Sequence, residues 1–282
     1  MNKYTGREIA LFTDVHGLLE PLTAILDDIK KRGITEIYSL GDNIGVGPNP
    51  REVLDLLQEY NVKSVSGNSE YYTTLGIEPF RNYFGCEKIA SQQWTKRQLT
   101  SKNIKELELY PASIELVVGN KNIALCHFAN DVRIDYMIRS TWTYQDELKY
   151  GDKAYLQFDY TNSKEQKNDI LKNKDKDKPF YEGFKSSYRD PLFKGKTVSS
   201  FDAIFQGHVH FKSKEQSPTT TFYTVGMAYK EKNIASYVII HEKENGFTVE
   251  EVLVPFNREK MLKRVKESDM PDKSLLNKYL RK

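Results

Sequence analysis

The sequence predicts an α/β fold: a four-layer α-β-β-α sandwich of two mixed sheets, with an inserted cap. Three observations carry this. Short apolar strands alternate with amphipathic helices up to Ser66, strand signals dominate after Leu109, and between Asp131 and Lys196 the pattern breaks into dense charge mixed with aromatic residues.

Glu8 to Thr13 is a short apolar strand. Glu20 to Arg32 follows as a helix, with Leu22, Ile25, Leu26 and Ile29 at helical spacing, and Gly33 ends it. A strand over Glu36 to Leu40, a helix from Arg51 to Tyr60 and a strand over Val62 to Ser66 complete a β-α-β-α-β run. Sheets of this kind carry their chemistry in the loops after the strand ends. Helices are expected over Glu87 to Leu99 and Ser101 to Leu109. Ile114 to Val118, the turn Gly119-Asn120 and Lys121 to Cys126 then read as a hairpin. Further strands are expected at Ala203 to Phe205, Thr221 to Val225, Ala235 to His241 and Thr248 to Val254.

The expected organisation is a core of residues 1–130 and 197–257, a cap over 131–196 and a charged helical appendage over 258–282. Within the cap, the run Lys172 to Lys178 is almost wholly polar and reads as a solvated loop, because mixed charges without apolar partners cannot offset the entropy of ordering. The cap aromatics either build a small core of their own or stack on a nucleobase.

Composition narrows the function classes. Two cysteines in 282 residues, Cys86 and Cys126, fit a reducing cytoplasm and apolar packing better than a disulfide framework. Cys126 precedes His127, but neighbouring strand residues face opposite ways, so core packing is its expected role. The first residues lack the apolar run of a signal peptide, and nowhere do ~18 apolar residues follow one another, so a soluble cytoplasmic protein without a membrane partner is expected. Basic and acidic residues, 42 and 39, nearly cancel, which disfavours polymeric nucleic acid as a partner.

Five segments carry chemistry, each at an expected strand end: Asp14-Val15-His16, Gly41-Asp42-Asn43, Gly67-Asn68-Ser69-Glu70, His127 and Gly207-His208-Val209-His210. Asp14, Asp42 and Asn68 lie 28 and 26 residues apart, one strand-helix-strand step each, so they should emerge along one sheet edge. Two divalent ions about 3.5 to 4 Å apart repel each other, and a bridging carboxylate with a bridging hydroxide offsets that repulsion. Asp42 is the expected bridge. Asp14 and His16, two apart on an extended segment, can face one ion together, while Asn68 offers a neutral oxygen and His127, His208 and His210 offer imidazoles. The glycines before Asp42, Asn68 and His208 fit tight turns close to the ions.

This ordered set resembles the calcineurin-like metallophosphoesterases, whose signature is D-x-H, G-D-x, G-N-x-[DE], H and G-H-x-H; the resemblance covers residues 7 to 130 and 198 to 256. It implies one ion held by Asp14, His16, Asp42 and His210 and the other by Asp42, Asn68, His127 and His208. Gly41 to Pro50 looks like the small bacterial phosphoesterase branch, which includes diadenosine polyphosphatase-like enzymes, and lacks the arginine-containing form of eukaryotic protein phosphatases. Nitrogen and oxygen ligands without thiolate suit manganese, iron, zinc or nickel, and the resemblance favours Mn2+ or Fe2+.

Where many relatives have a histidine after Gly-Asn this chain has Ser69, which removes a general acid worth ~10² to 10⁴ in rate. The expected substrates therefore have good leaving groups: nucleoside polyphosphates, diadenosine polyphosphates and activated phosphodiesters. A metal-bound hydroxide would attack phosphorus, with Asp42, Asn68 and His16 as the catalytic set and His16 or a water assisting the leaving group. Asn43, Ser69, Arg133, Arg139, Trp142 and Tyr144 are the candidates for holding substrate, and Glu70 is read as orienting a ligand-bearing group. Two other functions fit the same residues less well: a serine/threonine phosphoprotein phosphatase, and a binding scaffold that has kept the fold without catalysis. Taken singly, each segment has a blander role, with Asp14 as a helix cap, Asn68 as a turn residue or His127 as structural. Their joint order, which absorbs four of the five histidines and leaves only His241 unassigned, favours the metal centre.

Overall fold

The computed structural model describes residues 6–76, 86–129, 196, 198–231, 233–271 and 273. The expected cap therefore lies outside the described residues except for Lys196, as does the end of the tail. The first strand, β1 (Glu8–Phe12), is followed by α1 (Leu19–Lys31), β2 (Glu36–Ser39), α2 (Pro50–Glu59), β3 (Lys63–Ser64) and α3 (Asn68–Leu75). Then come α4 (Cys86–Gln98), α5 (Ser101–Glu108), β4 (Ser113–Val118) and β5 (Lys121–Cys126). Later in the chain are β6 (Ala203–Gln206), β7 (Ser213–Gln216), β8 (Thr221–Thr224), β9 (Tyr229–Glu231), β10 (Ile234–Lys243), β11 (Gly246–Pro255) and α6 (Arg258–Glu267).

Two mixed sheets result. One has the order β11-β10-β1-β2-β3, with β9 also paired to β10, and the other has the order β4-β5-β6-β8-β7. β1, β2 and β3 run parallel, as do β5, β6 and β8, so the carboxyl ends within each of these trios share one edge. The hairpin between β4 and β5 turns through Gly119 (φ 53°) and Asn120 (φ 64°), the paired left-handed conformations that match the twist of the flanking strands.

Alternation decides which side chains face which layer. Ile9 and Leu11 of β1, with Val238 and Ile240 of β10, meet Ile123, Leu125, Ala203 and Phe205 of the second sheet in a fully buried layer. Ala10, Phe12, Tyr237 and Ile239 point the other way, onto Leu22, Ile25, Leu26 and Ile29 of α1 and Val53 and Leu57 of α2. Each large apolar side chain so enclosed contributes about 1.5–3 kcal/mol relative to exposure. Cys126 packs with Ala124, Ile204 and Phe222 on the outer face of the second sheet, in the apolar role expected of it.

Three expectations change. Asn68, expected after a strand end with no helix following it, is the first residue of one. α6 is not an appendage: Met261 and Val265 join the core beneath α1, followed by Met270, and Arg264 bonds the buried carboxylate of Glu20 at 2.6 Å. β7 and β9 were not anticipated; the first is a polar edge strand of four residues, the second has three. No helix among the described residues is long and apolar enough to cross a membrane.

Candidate metal centre

The seven expected ligands come from five loops, all at strand ends, and the structure brings every one of them together. Asp14 and His16 follow β1, Asp42 follows β2, Asn68 opens α3 after β3, His127 follows β5, and His208 and His210 follow β6. Backbone bonds lock the loops to one another. Asp14 and His16 donate their N–H groups to the carbonyls of Gly41 (3.0 Å) and Asp42 (2.9 Å), and Gly207 donates to His127 (2.9 Å). The two sheets are stitched by side chains as well. The His127 Nδ1–H donates to the Leu40 carbonyl at 2.7 Å, and the His208 N–H donates to Asp14 Oδ2 at 2.9 Å.

The polar atoms form two groups that share Asp42. In the first, Nε2 of His16 and Nε2 of His210 are 2.9 Å apart, and Asp14 Oδ1 lies 3.7 Å from the former and 3.3 Å from the latter. Asp42 Oδ2 is 3.9 Å from His16 Nε2. In the second, Asn68 Oδ1, His127 Nε2 and His208 Nδ1 make a triangle with edges of 3.0, 3.3 and 3.3 Å, and the same Asp42 Oδ2 is 3.6 Å from His127 Nε2. Ligand atoms bound at about 2.1 Å sit about 3.0 Å apart around an octahedral ion and about 3.4 Å apart around a tetrahedral one. The triangle of the second group lies inside that range, and the other edges run from 2.9 to 3.9 Å, close enough for each group to converge on a cation. Asp14 Oδ1 is buried and accepts no hydrogen bond, while Asp14 Oδ2 accepts from Thr13 Oγ1 (2.9 Å) and from His208. One carboxylate oxygen is thus fixed by the protein and the other is left facing the cluster.

In two of the imidazoles burial favours lone pairs over protons. Burial, reinforced by the charge of His210, lowers the pKa of His16 to about 4, and burial with the neighbouring His127 pushes His208 well below its usual value. Both rings are neutral at pH 7. Burial opposes ionisation of Asp14, but the surrounding imidazoles of His210, His127 and His16 outweigh it and hold the carboxyl below the usual range. For His127 the burial penalty is outweighed by Asp42, Asp14 and the Leu40 carbonyl, and its pKa rises. Because Nδ1 of that ring donates to a carbonyl, Nε2 is the atom that offers a lone pair.

Backbone geometry differs from expectation. Asp14, His16, Asp42, His208 and His210 all have positive φ, between 51° and 70°, so Asp14 and His16 do not lie on an extended segment. The glycines act differently too: they admit neighbouring backbone and carboxylates, not ions. A Cβ on Gly67 would strike the Asp42 carboxylate and backbone nitrogen, and one on Gly207 would strike Thr13 Oγ1 and come within 2.6 Å of Asp14 Oδ2.

Glu70 is the brace anticipated for it, and a larger one. Its Oε2 accepts from the backbone N–H of Asp42 (2.9 Å) and Gly67 (2.8 Å), and its Oε1 from Asn43 (2.9 Å), so one carboxylate ties the loop after β2 to the loop after β3. Burial and the nearby Asp42 push its carboxyl up to about 7. Thr13 and the Leu40 carbonyl were missed. Nothing in a sequence marks a backbone acceptor, and Thr13 carried only the weak signal of a hydroxyl next to Asp14.

The substrate candidates fare less well. Asn43 is fully buried, with Oδ1 accepting from Ser39 Oγ at 2.5 Å. Ser69 is buried under Gly45, and its N–H donates to Asp42 Oδ1 at 2.8 Å. Asn43 Oδ1 and the Ser69 backbone N–H brace loops, while Asn43 Nδ2 is buried without a hydrogen-bond partner. His16 turns Nε2 into the cluster, and burial favours its neutral form, which offers a lone pair there. Arg133, Arg139, Trp142 and Tyr144 lie outside the described residues.

A two-sheet α/β sandwich that gathers carboxylate, amide and imidazole donors at its strand ends is the class of fold and candidate metal centre that these residues define. The chain belongs to the calcineurin-like phosphoesterase family, whose model matches residues 7–212. An uncharacterized protein of Methanocaldococcus jannaschii is 36% identical over 154 residues, a match that spans 52% of this chain and 60% of that relative, less than two thirds of its length. Two solved structures share the fold. A hypothetical protein from Pyrococcus horikoshii has a TM-score of 0.60 at 14% identity, covering 95% of this chain and 96% of its own. A metallophosphoesterase from Sphaerobacter thermophilus has a TM-score of 0.56 at 20% identity, covering 96% and 97%.

Proposed function

We propose that this chain hydrolyses phosphoanhydride or phosphodiester bonds of nucleotides at a pair of divalent cations, with nucleoside polyphosphates, diadenosine polyphosphates and activated phosphodiesters as its substrates. The observation that carries this reading is the sharing of Asp42 Oδ2 between two donor groups, 3.9 Å from His16 Nε2 and 3.6 Å from His127 Nε2. Asp14, His16, Asp42 and His210 hold one cation; Asp42, Asn68, His127 and His208 hold the other. When bound, the cations supply an activated water as nucleophile and neutralise charge that develops on the phosphoryl oxygens.

The chain's own residues do the rest. Thr13 and the His208 N–H hold Asp14 in one orientation, the Leu40 carbonyl fixes the His127 tautomer, and Glu70 fixes Asp42 against Asn68. The donor set contains no thiolate, which suits Mn2+ or Fe2+ and is compatible with Zn2+ or Ni2+. Burial of Ser69 beneath Gly45 leaves no proton donor at the position after Asn68, which supports substrates whose leaving group departs as a stable anion. Such substrates match the small bacterial, diadenosine polyphosphatase-like branch of the family. In this reading residues 131–196 form a cap on the core, and the protein works in the cytoplasm, where its thiols stay reduced.

The test is Asp42→Asn. Metal content by elemental analysis and turnover of diadenosine tetraphosphate should fall together, and the parent should cleave that compound faster than an alkyl monoester. An active variant that retains no metal, or a parent that prefers the alkyl monoester, overturns the reading.

A further inference from the structure

We infer that Gln206 is a positioning residue for the cation of the Asn68, His127 and His208 group: its buried carboxamide ties the chain after His127 to the turn that carries His208, and so sets the spacing of those two imidazoles. This rests on the cation pair proposed above. Side chains alternate along β6, with Phe205 in the layer between the sheets and Ile204 on the outer face among Ala124, Cys126, Ala129 and Phe222. Gln206, two residues past Ile204, shares that outer face. A fully buried amide at the end of an apolar layer is unfavourable unless its polar atoms are satisfied, and here both are. Oε1 accepts the Ala129 N–H at 3.0 Å, and Nε2 donates to Thr224 Oγ1 of β8 at 3.4 Å.

The bond to Ala129 stands where the sheet runs out of backbone acceptors. The paired register of β5 and β6 ends at Leu125 and Phe205. One more backbone bond follows, from the Gly207 N–H to the His127 carbonyl at 2.9 Å, but the Gly207 carbonyl is turned back onto the Val209 N–H at 2.9 Å. The buried Ala129 N–H is met by the Gln206 side chain instead. These two bonds run in opposite directions between Gln206-Gly207 and His127-Ala129, so the segment that bears His127 is held at both ends. Phe128, between the two anchors, lies with its ring centre 5.0 Å from that of His208 and packs on Val209. His127 Nε2 and His208 Nδ1 thereby end 3.3 Å apart, at 3.3 and 3.0 Å from Asn68 Oδ1. Asp14 and His16 of the other donor group are anchored on the carbonyls of Gly41 and Asp42, so loss of the Gln206 bond should fall on one cation alone.

The test titrates the full chain with Mn2+ in a calorimeter after chelation, as the parent, Gln206→Met and Gln206→Glu, and counts bound ions by elemental analysis. Methionine keeps the shape of glutamine and removes both hydrogen bonds, whereas glutamate keeps an oxygen facing the Ala129 N–H. In Gln206→Met one Mn2+ should bind about ten- to a hundredfold more weakly while the other keeps the parent's affinity. The double variant Asn68→Ala/Gln206→Met should still hold that tight ion, which places both effects on the same cation. Gln206→Glu should recover at least part of the lost affinity. Parental affinity for both ions in Gln206→Met, equal weakening of both, loss of the tight ion in the double variant, or a folded Gln206→Glu protein no better than Gln206→Met overturns the positioning role. A parent that binds two Mn2+ ions yet cleaves neither diadenosine tetraphosphate nor an activated phosphodiester overturns the proposed function alone.

Discussion

Glu70 offers the sharpest test of how the centre is held. Its carboxylate accepts three backbone N–H groups from two loops, at 2.8 to 2.9 Å, and no other side chain among the described residues bridges those loops at all three points. Glu70→Gln preserves shape while replacing one acceptor oxygen with an NH2 group. The amide oxygen can serve the Asp42 and Gly67 N–H groups, but the NH2 then faces the Asn43 N–H, donor against donor. An N–H stripped of its acceptor in a buried site costs about 1–3 kcal/mol, and loss of charge assistance in the other two bonds costs about 1 kcal/mol each. Removing a negative charge that burial and Asp42 disfavour returns part of that cost.

The net expectation is a loss of about 2–3 kcal/mol in urea unfolding of the chelated protein, with an unchanged dependence on urea. Because Gly67 lies directly against the Asp42 carboxylate, slackening this brace also moves Asn68 relative to Asp42, and cation affinity by calorimetry should weaken about ten- to a hundredfold. A Glu70→Gln protein within about 0.5 kcal/mol of the parent, and with the parent's cation affinity, would refute the idea that this carboxylate sets the spacing of the donor groups.

Other consequences can be checked with standard measurements. Gly207→Ala drives a Cβ into Thr13 and Asp14, so it should weaken cation binding at least about tenfold in calorimetry while far-ultraviolet dichroism stays that of the parent. Burial raises the pKa of Asp28, but its bonds to Tyr237 and Arg32 outweigh that and hold it below its ordinary 3.8. A lowered carboxyl contributes stability that is present above pH 3.8 and lost as pH falls through the folded value. Asp28→Asn should therefore cost about 1 kcal/mol at pH 7 and progressively less below pH 4 in urea titrations. Cys126 is enclosed and its thiol is pushed far above the usual range by burial, whereas Cys86 is exposed, so a disulfide reagent at pH 8 should modify one thiol per native chain and two after unfolding.

The residues that carry chemistry were legible because each stands alone at a strand end, and the strand-helix-strand repeat fixes their spacing. Asp14, Asp42 and Asn68 could be aligned along an edge before any coordinate was known. The strands of the core were legible for a similar reason: Ile9, Leu11, Ile239 and Ile240 leave little doubt about burial. α3 was not. Its sequence, Asn-Ser-Glu-Tyr-Tyr-Thr-Thr-Leu, has no apolar stripe, and the helix holds because Glu70 caps it and Thr73 and Thr74 bond back to the carbonyls of Ser69 and Glu70. α6 hid its role because Met261 and Val265, one turn apart, are its buried residues, with Leu262 packed partly against the core, amid seven charged residues. β7, Ser-Lys-Glu-Gln, pairs through its backbone at a sheet edge, where composition says little.

The left-handed conformation of the site residues ties these observations together. Asp14, His16, Asp42, His208 and His210 each hold a φ between 51° and 70°, which costs a side chain other than glycine about 1 kcal/mol or more. Such a cost persists only where neighbouring structure over-determines it, and here the determinants can be named. The carbonyls of Gly41 and Asp42 fix Asp14 and His16, Glu70 fixes Asp42, and the Asp14 carboxylate fixes His208 through its N–H. Asp14, His16, Asp42 and His208 are thus each held by a partner from a different strand end, so none of these four conformations is a property of its own loop. A single loop transplanted to another protein would relax. The cluster exists because two sheets press five loops against one another, and this is why the motif had to be read as a set, with Gly41, Gly67 and Gly207 leaving room for that contact.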